Sequence, residues 1–516
     1  MKKVKKKQKG KQQQKISEWE WFGDRLTHIY LLFMLAVFPA FYTNKLFHLT
    51  DDKEGFFYLF TITYLCLLLP AFLGEFVEFV AEKKFSLKWD TVCIMLLAAG
   101  ILLTACLAED MEKVMLQMSS RTVSGMVFLL CGVMYLYVRR FAVTDKVIQS
   151  AWLAGSAIIY LFGILCACKI NFLYIQDGVS SPAINLTPLG NTNFNACYVC
   201  LMLAFSLGMY VLCEDRLFQK LYAANVYMGF LFMHFIKTES SMIAIIIGLA
   251  VLAFFAVEKA EWFEKYLQIA ALYLGAKVTI GVIRHFFAEH IYPFEGLGAV
   301  LLRWEIVLIE IVILLLVYLG SRKSDGLLRI IAGARKYIFF VSVLGLAGMV
   351  VLIAAVNLGW IKPDEGSVLN RLFITDALFN HRGFIWKKTC ILIKEESPIQ
   401  WLFGNGANQY GAMLKERFGE ECREYFGATL NDPHNEFLQT FMDMGLVGII
   451  SYYGLLIGSL ARAIKTWKIN GMQMVVALTL VVYLVQGLAN CYSVYHLPLL
   501  FIFLGFANGK AMNNQV

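Results

Sequence analysis

Pro433-His434-Asn435-Glu436-Phe437-Leu438-Gln439, followed by Gly445-Leu446-Val447-Gly448, is the stretch of this 516-residue chain best equipped for chemistry. It sets a histidine at the end of the one long polar segment of a very apolar protein, where an apolar helix begins. Imidazole is the side chain whose ordinary pKa lies nearest neutrality, so at a membrane–water boundary it suits proton transfer. A helix N-terminus close by favours the neutral ring, which is a base, whereas Asp432 pushes the other way. A histidine at such a place also serves as a helix cap or a plain surface residue.

The elements that must hold this residue are membrane helices. The chain is 59% hydrophobic and 16% charged, with a mean hydropathy of +0.62, whereas soluble domains carry about 25% charged residues. Runs such as 147–168, 337–356 and 472–491 hold almost no charge, and each is long enough to cross a bilayer core of about 30 Å. They are continuous rather than alternating, which argues against a β-barrel. The sequence therefore predicts an all-α integral membrane protein of about fourteen transmembrane helices. These fall near 26–43, 56–76, 90–107, 122–138, 147–168, 196–213, 221–236, 241–257, 266–283, 298–319, 337–356, 439–461, 472–490 and 493–509.

Charge orients them. Residues 2–15 carry eight lysines, the signature of a tail drawn to anionic lipid on the cytoplasmic side. No folded reader domain accompanies them, so nucleic acid is not an expected partner. The first apolar run has no small-residue cleavage site after it and reads as a retained helix. With the tail inside, the inner loops hold eighteen Lys and Arg and the short outer loops seven: Lys45, Lys53, Lys113, Arg121, Lys169, Lys237 and Arg284. This is the positive-inside asymmetry, and it requires an odd number of spans, eleven, before residue 357.

The expected organisation follows. Residues 1–25 form a basic cytoplasmic tail, 26–356 about eleven spans, 357–435 one long extracytoplasmic loop, and 436–516 about three more spans, with both termini cytoplasmic. A loop that long is usually functional. Its alternating apolar and polar stretches, such as Phe384-Ile385-Trp386 and Trp401-Leu402-Phe403, predict short helices at the membrane surface. Most of the twelve cysteines lie inside apolar runs and behave as small hydrophobes. Cys197-x-x-Cys200 lacks the second pair a metal site needs, so no metal and no cofactor is expected. Cys390 and Cys422 share the long loop, where a disulfide is open to them.

Three segments on the predicted outer face stand out together. They are Pro188-Leu189-Gly190-Asn191-Thr192-Asn193-Phe194-Asn195-Ala196; Arg382-Gly383-Phe384-Ile385-Trp386 with Pro398 and Gly404-Asn405-Gly406-Ala407-Asn408; and the His434 segment. In this order, over roughly residues 185–510, the chain resembles the O-antigen ligase and O-antigen polymerase superfamily of bacterial membrane glycosyltransferases. The resemblance implies metal-independent transfer of a glycan from undecaprenyl diphosphate to a hydroxyl of a glycan, lipid or protein acceptor. It makes His434 the base or acceptor-positioning group and Arg382 the clamp on the diphosphate, whose charge grows as the anomeric bond breaks. Arg382 has a second use, as an interfacial arginine beside Trp386, and Arg371 is its nearest competitor. Asn191 and Asn193 suit sugar or phosphate, though Gly-Asn-x-Asn is also an ordinary turn. Trp386, Asn435 and Gln439 complete the expected substrate-binding set.

One position departs from the family pattern. A Thr-x-Ser-Arg element is common there, and here Thr238-Glu239-Ser240-Ser241 ends on serine. Lys237 and Arg303 are the expected substitutes. Arg303, Glu305 and Glu310 share one predicted span and Asp443 lies in another; ionisable residues so placed are functional candidates or interhelical pairs. Other readings of the chain are a polymerase of the same superfamily, a transporter of polysaccharide or lipid-linked oligosaccharide, and a peptidoglycan glycosyltransferase of the shape, elongation and division type. A transporter usually shows two related halves, and none is evident.

Overall fold

The computed structural model describes residues 18–81, 87–117, 121–323, 351–357, 359–363, 369, 372–376 and 378–509, with positions 333, 335, 337, 344 and 348 between. Most of the lysine tail, most of the span expected at 337–356, and Arg371 lie outside the described residues. The protein is an all-α, multi-pass membrane protein.

The first half runs α1 (Glu18–Leu32), α2 (Leu49–Ala81), α3 (Trp89–Leu107), α4 (Met111–Leu116), α5 (Gly125–Phe141), α6 (Lys146–Ala167), α7 (Thr192–Leu212), α8 (Arg216–Phe235), α9 (Glu239–Ala256), α10 (Ala260–Phe286), α11 (Gly296–Leu301) and α12 (Trp304–Lys323). After a partly described stretch come α13 (Leu378–Glu395), α14 (Pro398–Phe403), α15 (Tyr410–Phe426), α16 (Glu436–Gly448), α17 (Gly454–Thr466), α18 (Met472–Gly487) and α19 (Leu497–Asn508). A two-stranded hairpin, β1 (Asn185–Thr187) and β2 (Gly190–Asn191), precedes α7.

Among the described residues eight helices are long and apolar enough to cross a membrane, against the fourteen spans expected. Two further spans fall on α18 and α19, which are apolar but shorter. Three fall on α5, on α8, and on α1 with the π-helical turn Phe33–Val37 that continues it. The last is 337–356.

The bundle is centred on α7, whose membrane window is 94% buried, whereas that of α12 is only 6% buried and lies at the periphery. Helix α7 packs against α18, α8 and α9, and α19 packs against α5. Small residues allow the close approach. A Cβ on Gly208 would stand 3.0 Å from Val475, and one on Gly505 2.7 Å from Val138. In an apolar solvent such packing, rather than apolar burial, drives helix association. The expected ionisable groups are partly paired across helices: Lys277 on α10 meets Glu310 on α12 at 2.5 Å, and the Tyr492 hydroxyl donates to Asp443. All twelve cysteines are free, so Cys390 and Cys422 are not bridged.

Helix α16 is broken at Gly445, whose φ of 59° and ψ of −155° open the hydrogen-bond ladder. The loop after α14 fills the break. Asn405 N donates to Met442 O at 2.8 Å and Gly406 N to Asp443 O at 3.0 Å, so carbonyls freed by the break keep partners. The backbones touch: a Cβ on Gly445 would lie 2.5 Å from the Leu402 carbonyl carbon, and one on Gly404, itself at φ 77°, would strike the Asp443 and Met444 backbone. Gly404→Ala therefore combines a left-handed backbone with a clash that no rotamer relieves. It should destabilise the fold by about 2 kcal/mol or more. Gly419→Ala, inside α15 where a Cβ would make only an ordinary contact with the Lys415 side chain at 3.6 Å, should be neutral or stabilising. Thermal unfolding of the two variants in detergent checks the contrast.

Candidate active site

The polar segment ends in a turn that Asp432 builds. Its Oδ1 accepts from the His434 backbone N at 2.8 Å, an Asx turn that fits a proline between the two residues. His434 takes φ 49° as a result. Asn435 then caps α16, its Oδ1 accepting from Leu438 N at 3.0 Å while its Nδ2 donates to Leu488 O at 2.9 Å. The histidine is thus held at the mouth of a helix by residues on both sides of it.

Its ring is fixed as well. Nδ1 lies 3.3 Å from Asp432 Oδ1, and Nε2 lies 3.0 Å from a terminal nitrogen of Arg121. A guanidinium can only donate, so Nε2 accepts and Nδ1 carries the proton, which the Asp432 carboxylate receives. The same Arg121 nitrogen is 3.4 Å from Asp432 Oδ2. Asp432 is 2% exposed and also accepts from Cys491 Sγ at 3.1 Å. Burial raises its carboxyl, but His434 and Arg121 outweigh that and hold it below the usual carboxylate range.

Arg121 is placed by residues distant in sequence. Gln439, one turn into α16, donates to its carbonyl at 3.4 Å. Asn408 of the glycine-rich loop bonds both the Thr122 hydroxyl and the Gln117 carbonyl on either side of it. Arg382 arrives on α13, where Trp386 one turn later donates its indole N–H to Pro433 O at 3.1 Å. Burial pulls the Arg382 guanidinium below its ordinary value, and Cys491 and Asp432 partly offset that.

These groups meet at a small pocket lined by Arg121, Asn193, Phe194, Cys197, Asp432, His434, Asn490 and Cys491. Asn490 donates to Ser240 Oγ at 3.0 Å. Its buried Oδ1, like Gln439 Oε1, has no hydrogen-bond partner among the described residues. An acceptor left open in this way suits a hydroxyl of a bound molecule. No three His, Cys, Asp and Glu side chains among the described residues converge as metal ligands.

The structure thus brings together His434, Arg382, Trp386, Asn435, Gln439 and Asn193. Asn191 instead caps α7, accepting from Asn193 N at 2.9 Å. Lys237 does not line the pocket; its Nζ lies over the rings of Tyr292 and Phe294 at 5.3 and 5.6 Å, and burial brings it to about 8. Arg303 was expected within a span. It sits exposed at the break between α11 and α12, because the helix stops at Leu301 and restarts at Trp304. Ser241 is buried and donates to Thr238 O at 2.8 Å. Arg121, Asn490 and Cys491 were not foreseen as site residues. Arg121 lies 313 positions from His434, and no local pattern marks such a contact.

Burial brings His434 from 6.5 to about 4; Asp432 opposes this, and Arg121 and Arg382 add to it. The ring is therefore neutral at pH 7. A reaction that uses it as base should keep its rate down to an acid limb near pH 4 rather than 6.5, measured as a pH–rate profile. The unfolded chain binds that proton first, so this group's contribution to stability is present above pH 6.5 and declines as pH falls toward 4.

A polytopic helical protein with a buried Asp–His pair beside two guanidinium groups is the class that fold and site define. Residues 298–453 match the family model described as O-Antigen ligase, and this domain supports the O-antigen ligase superfamily for the chain. The matched region includes Arg382, Trp386, His434, Asn435 and Gln439. No curated protein gives a significant match. The match supports a membrane enzyme of the O-antigen ligase and polymerase family.

Proposed function

We propose that the protein transfers a glycan from undecaprenyl diphosphate to an acceptor hydroxyl at the outer face of the bacterial cytoplasmic membrane, as a ligase-type step of surface polysaccharide synthesis. The observation that carries this is a neutral His434, oriented by Asp432, with Arg382 held beside it through Trp386 and Pro433. The acceptor oxygen attacks the anomeric carbon. The bond from that carbon to the diphosphate oxygen breaks, and its electron pair stays on the diphosphate. The acceptor proton passes to His434 Nε2, and the imidazolium so formed is stabilised by Asp432. Arg382 binds the diphosphate and stabilises its growing charge, a task suited to a planar fork of donors. Asn193, Asn490 and Gln439 offer hydrogen bonds to sugar hydroxyls. All of the described side chains in this account belong to the protein itself, and none needs a metal to act.

The test is incubation of the purified protein in liposomes with an undecaprenyl diphosphate oligosaccharide, with and without candidate acceptors, followed by sizing and mass analysis. A single transfer to a foreign acceptor is the expected result. A ladder still attached to the carrier lipid identifies the polymerase of the same superfamily. Intact donor under every condition overturns the proposal.

A further inference from the structure

We propose that the protein carries a site for the phosphate of an anionic phospholipid, built from Lys169, Lys237 and Arg284 around the rings of Tyr292 and Phe294. The site goes beyond the transferase reading and does not depend on it. Lys237 Nζ lies over both rings, at 5.3 and 5.6 Å. Lys169 Nζ is 5.6 Å from the Tyr292 centroid, and the Arg284 guanidinium carbon is 5.5 Å from that of Phe294. Cations from the ends of α6, α8 and α10 thus converge on two neighbouring rings. Like charges so gathered repel one another, and the ring faces offset only part of that. Lys169 donates to the Glu289 carbonyl at 2.7 Å, and Glu295 favours the charged form of Lys237. Among the described residues no carboxylate forms an ion pair with any of the three. Each still presents N–H groups that a phosphate oxygen can receive.

The backbone points the same way. Lys169 and Lys237 follow the ends of α6 and α8 with φ 58° and 55°, where glycine is the relaxed choice. The helix dipole accounts for one cation at each end, but not for two drawn to one ring. The segment that carries the rings is fixed to the same helix ends. Tyr292 N donates to Ala167 O at 3.4 Å, Leu297 N to Glu239 Oε1 at 2.9 Å, and Phe294 packs on Phe235 with centroids 5.9 Å apart. The surroundings select a lipid as the source of the phosphate. Ile170 follows Lys169, and Phe286 and Phe287 follow Arg284; they are 53, 70 and 55% exposed. Apolar side chains displayed beside a cationic cluster at the ends of membrane helices suit acyl chains under a headgroup, whereas a sugar needs hydrogen-bonding side chains. Lys237 also joins this site to the pocket. Thr238, the next residue, donates to Thr192 O at 3.4 Å, beside Asn193, and Ser240 receives the Asn490 amide at 3.0 Å. A lipid held at Lys237 steadies a segment that borders the pocket.

The experiment is titration of the full chain in detergent with phosphatidylglycerol and with phosphatidylcholine, bound lipid being counted by native mass spectrometry. Wild type should favour phosphatidylglycerol by about 10²-fold, which is about fivefold for each of three cations at a lipid surface. Lys237→Gly should lower its affinity about fivefold. Lys169→Gly, Lys237→Gly and Arg284→Gln together should erase the preference. Glycine suits the backbone at both positions, so the loss does not come from strain, and thermal unfolding of each variant is recorded alongside. Lys237→Arg should keep the preference. Lys259→Gln should keep it too, although it removes a cation that lies 4.5 Å from the Trp262 ring at the other end of α10. Equal affinity for the two lipids in wild type, or a loss in Lys259→Gln as large as in Lys237→Gly, overturns the site. Inorganic phosphate and a soluble uronic acid oligosaccharide, added at constant ionic strength, should fail to displace phosphatidylglycerol. Displacement by the first means a site for free phosphate, and by the second a site for acidic glycan; either removes the lipid.

Discussion

His434→Ala lowers glycan transfer by about 10²-fold or more while leaving the protein folded. The magnitude is that of a lost general base, and the structure gives reasons why nothing nearby replaces it. Asp432 is buried against Arg121 and Cys491, below the usual carboxylate range, and so is a poor proton acceptor. Cys491 is buried and donates to that carboxylate, and both nearby arginines can only donate. Turnover of a lipid-linked oligosaccharide by wild type and variant in liposomes measures the effect. Donor binding should survive, because the diphosphate is held by arginine rather than by the imidazole. Normal turnover in a folded His434→Ala protein would remove the residue from the mechanism.

Arg382→Lys should be nearly as damaging as Arg382→Ala, with both losing about 10²–10³ in kcat, the range seen when a charge-stabilising donor is removed from a buried site. The lysine keeps the charge but not the fork of donors that meets two phosphate oxygens at once. Trp386 gives the comparison its control. It fixes α13 to the Pro433 carbonyl at 3.1 Å, so the helix stays in place when the side chain one turn earlier changes. Single-turnover rates on the two variants, with enzyme in saturating excess over donor, separate the chemical step from binding. Full activity of Arg382→Lys would mean that charge alone is what this position supplies.

Much of the architecture was legible because a membrane imposes a simple grammar. Continuous apolar runs mark helices. The helical segments inside 378–426 were legible too, from short apolar stretches such as Phe384-Ile385-Trp386. The hidden parts are contacts without local pattern. Arg121 looked like one of seven outer-loop cations, and only folding sets it against a histidine more than 300 residues away. Arg303 looked like a charge inside a span because hydropathy windows do not register a two-residue interruption between helices. Asn191 and Asn193 are adjacent in motif and alike in type, yet one caps a helix and the other faces the pocket. The glycines at 404 and 445 were visible as motif residues, while the reason for them, two backbones in contact, is a tertiary fact.

The broken helix has a consequence for how the chain is made. Carbonyls at Met442 and Asp443 lie in apolar surroundings, where a polar group without a partner is costly. Their partners are the amides of Asn405 and Gly406, which leave the ribosome about 30 residues earlier than the first turn of the helix at 436. At ordinary synthesis rates that is a lead of about 1.5–6 s. The clamp is therefore waiting when the helix is inserted, and the order of segments along the chain is itself part of the assembly. A rearranged gene that delivers 436–448 before 404–406 would send an open ladder into lipid first, and would trap the protein as an insertion intermediate with every side chain of the finished site still present in its sequence.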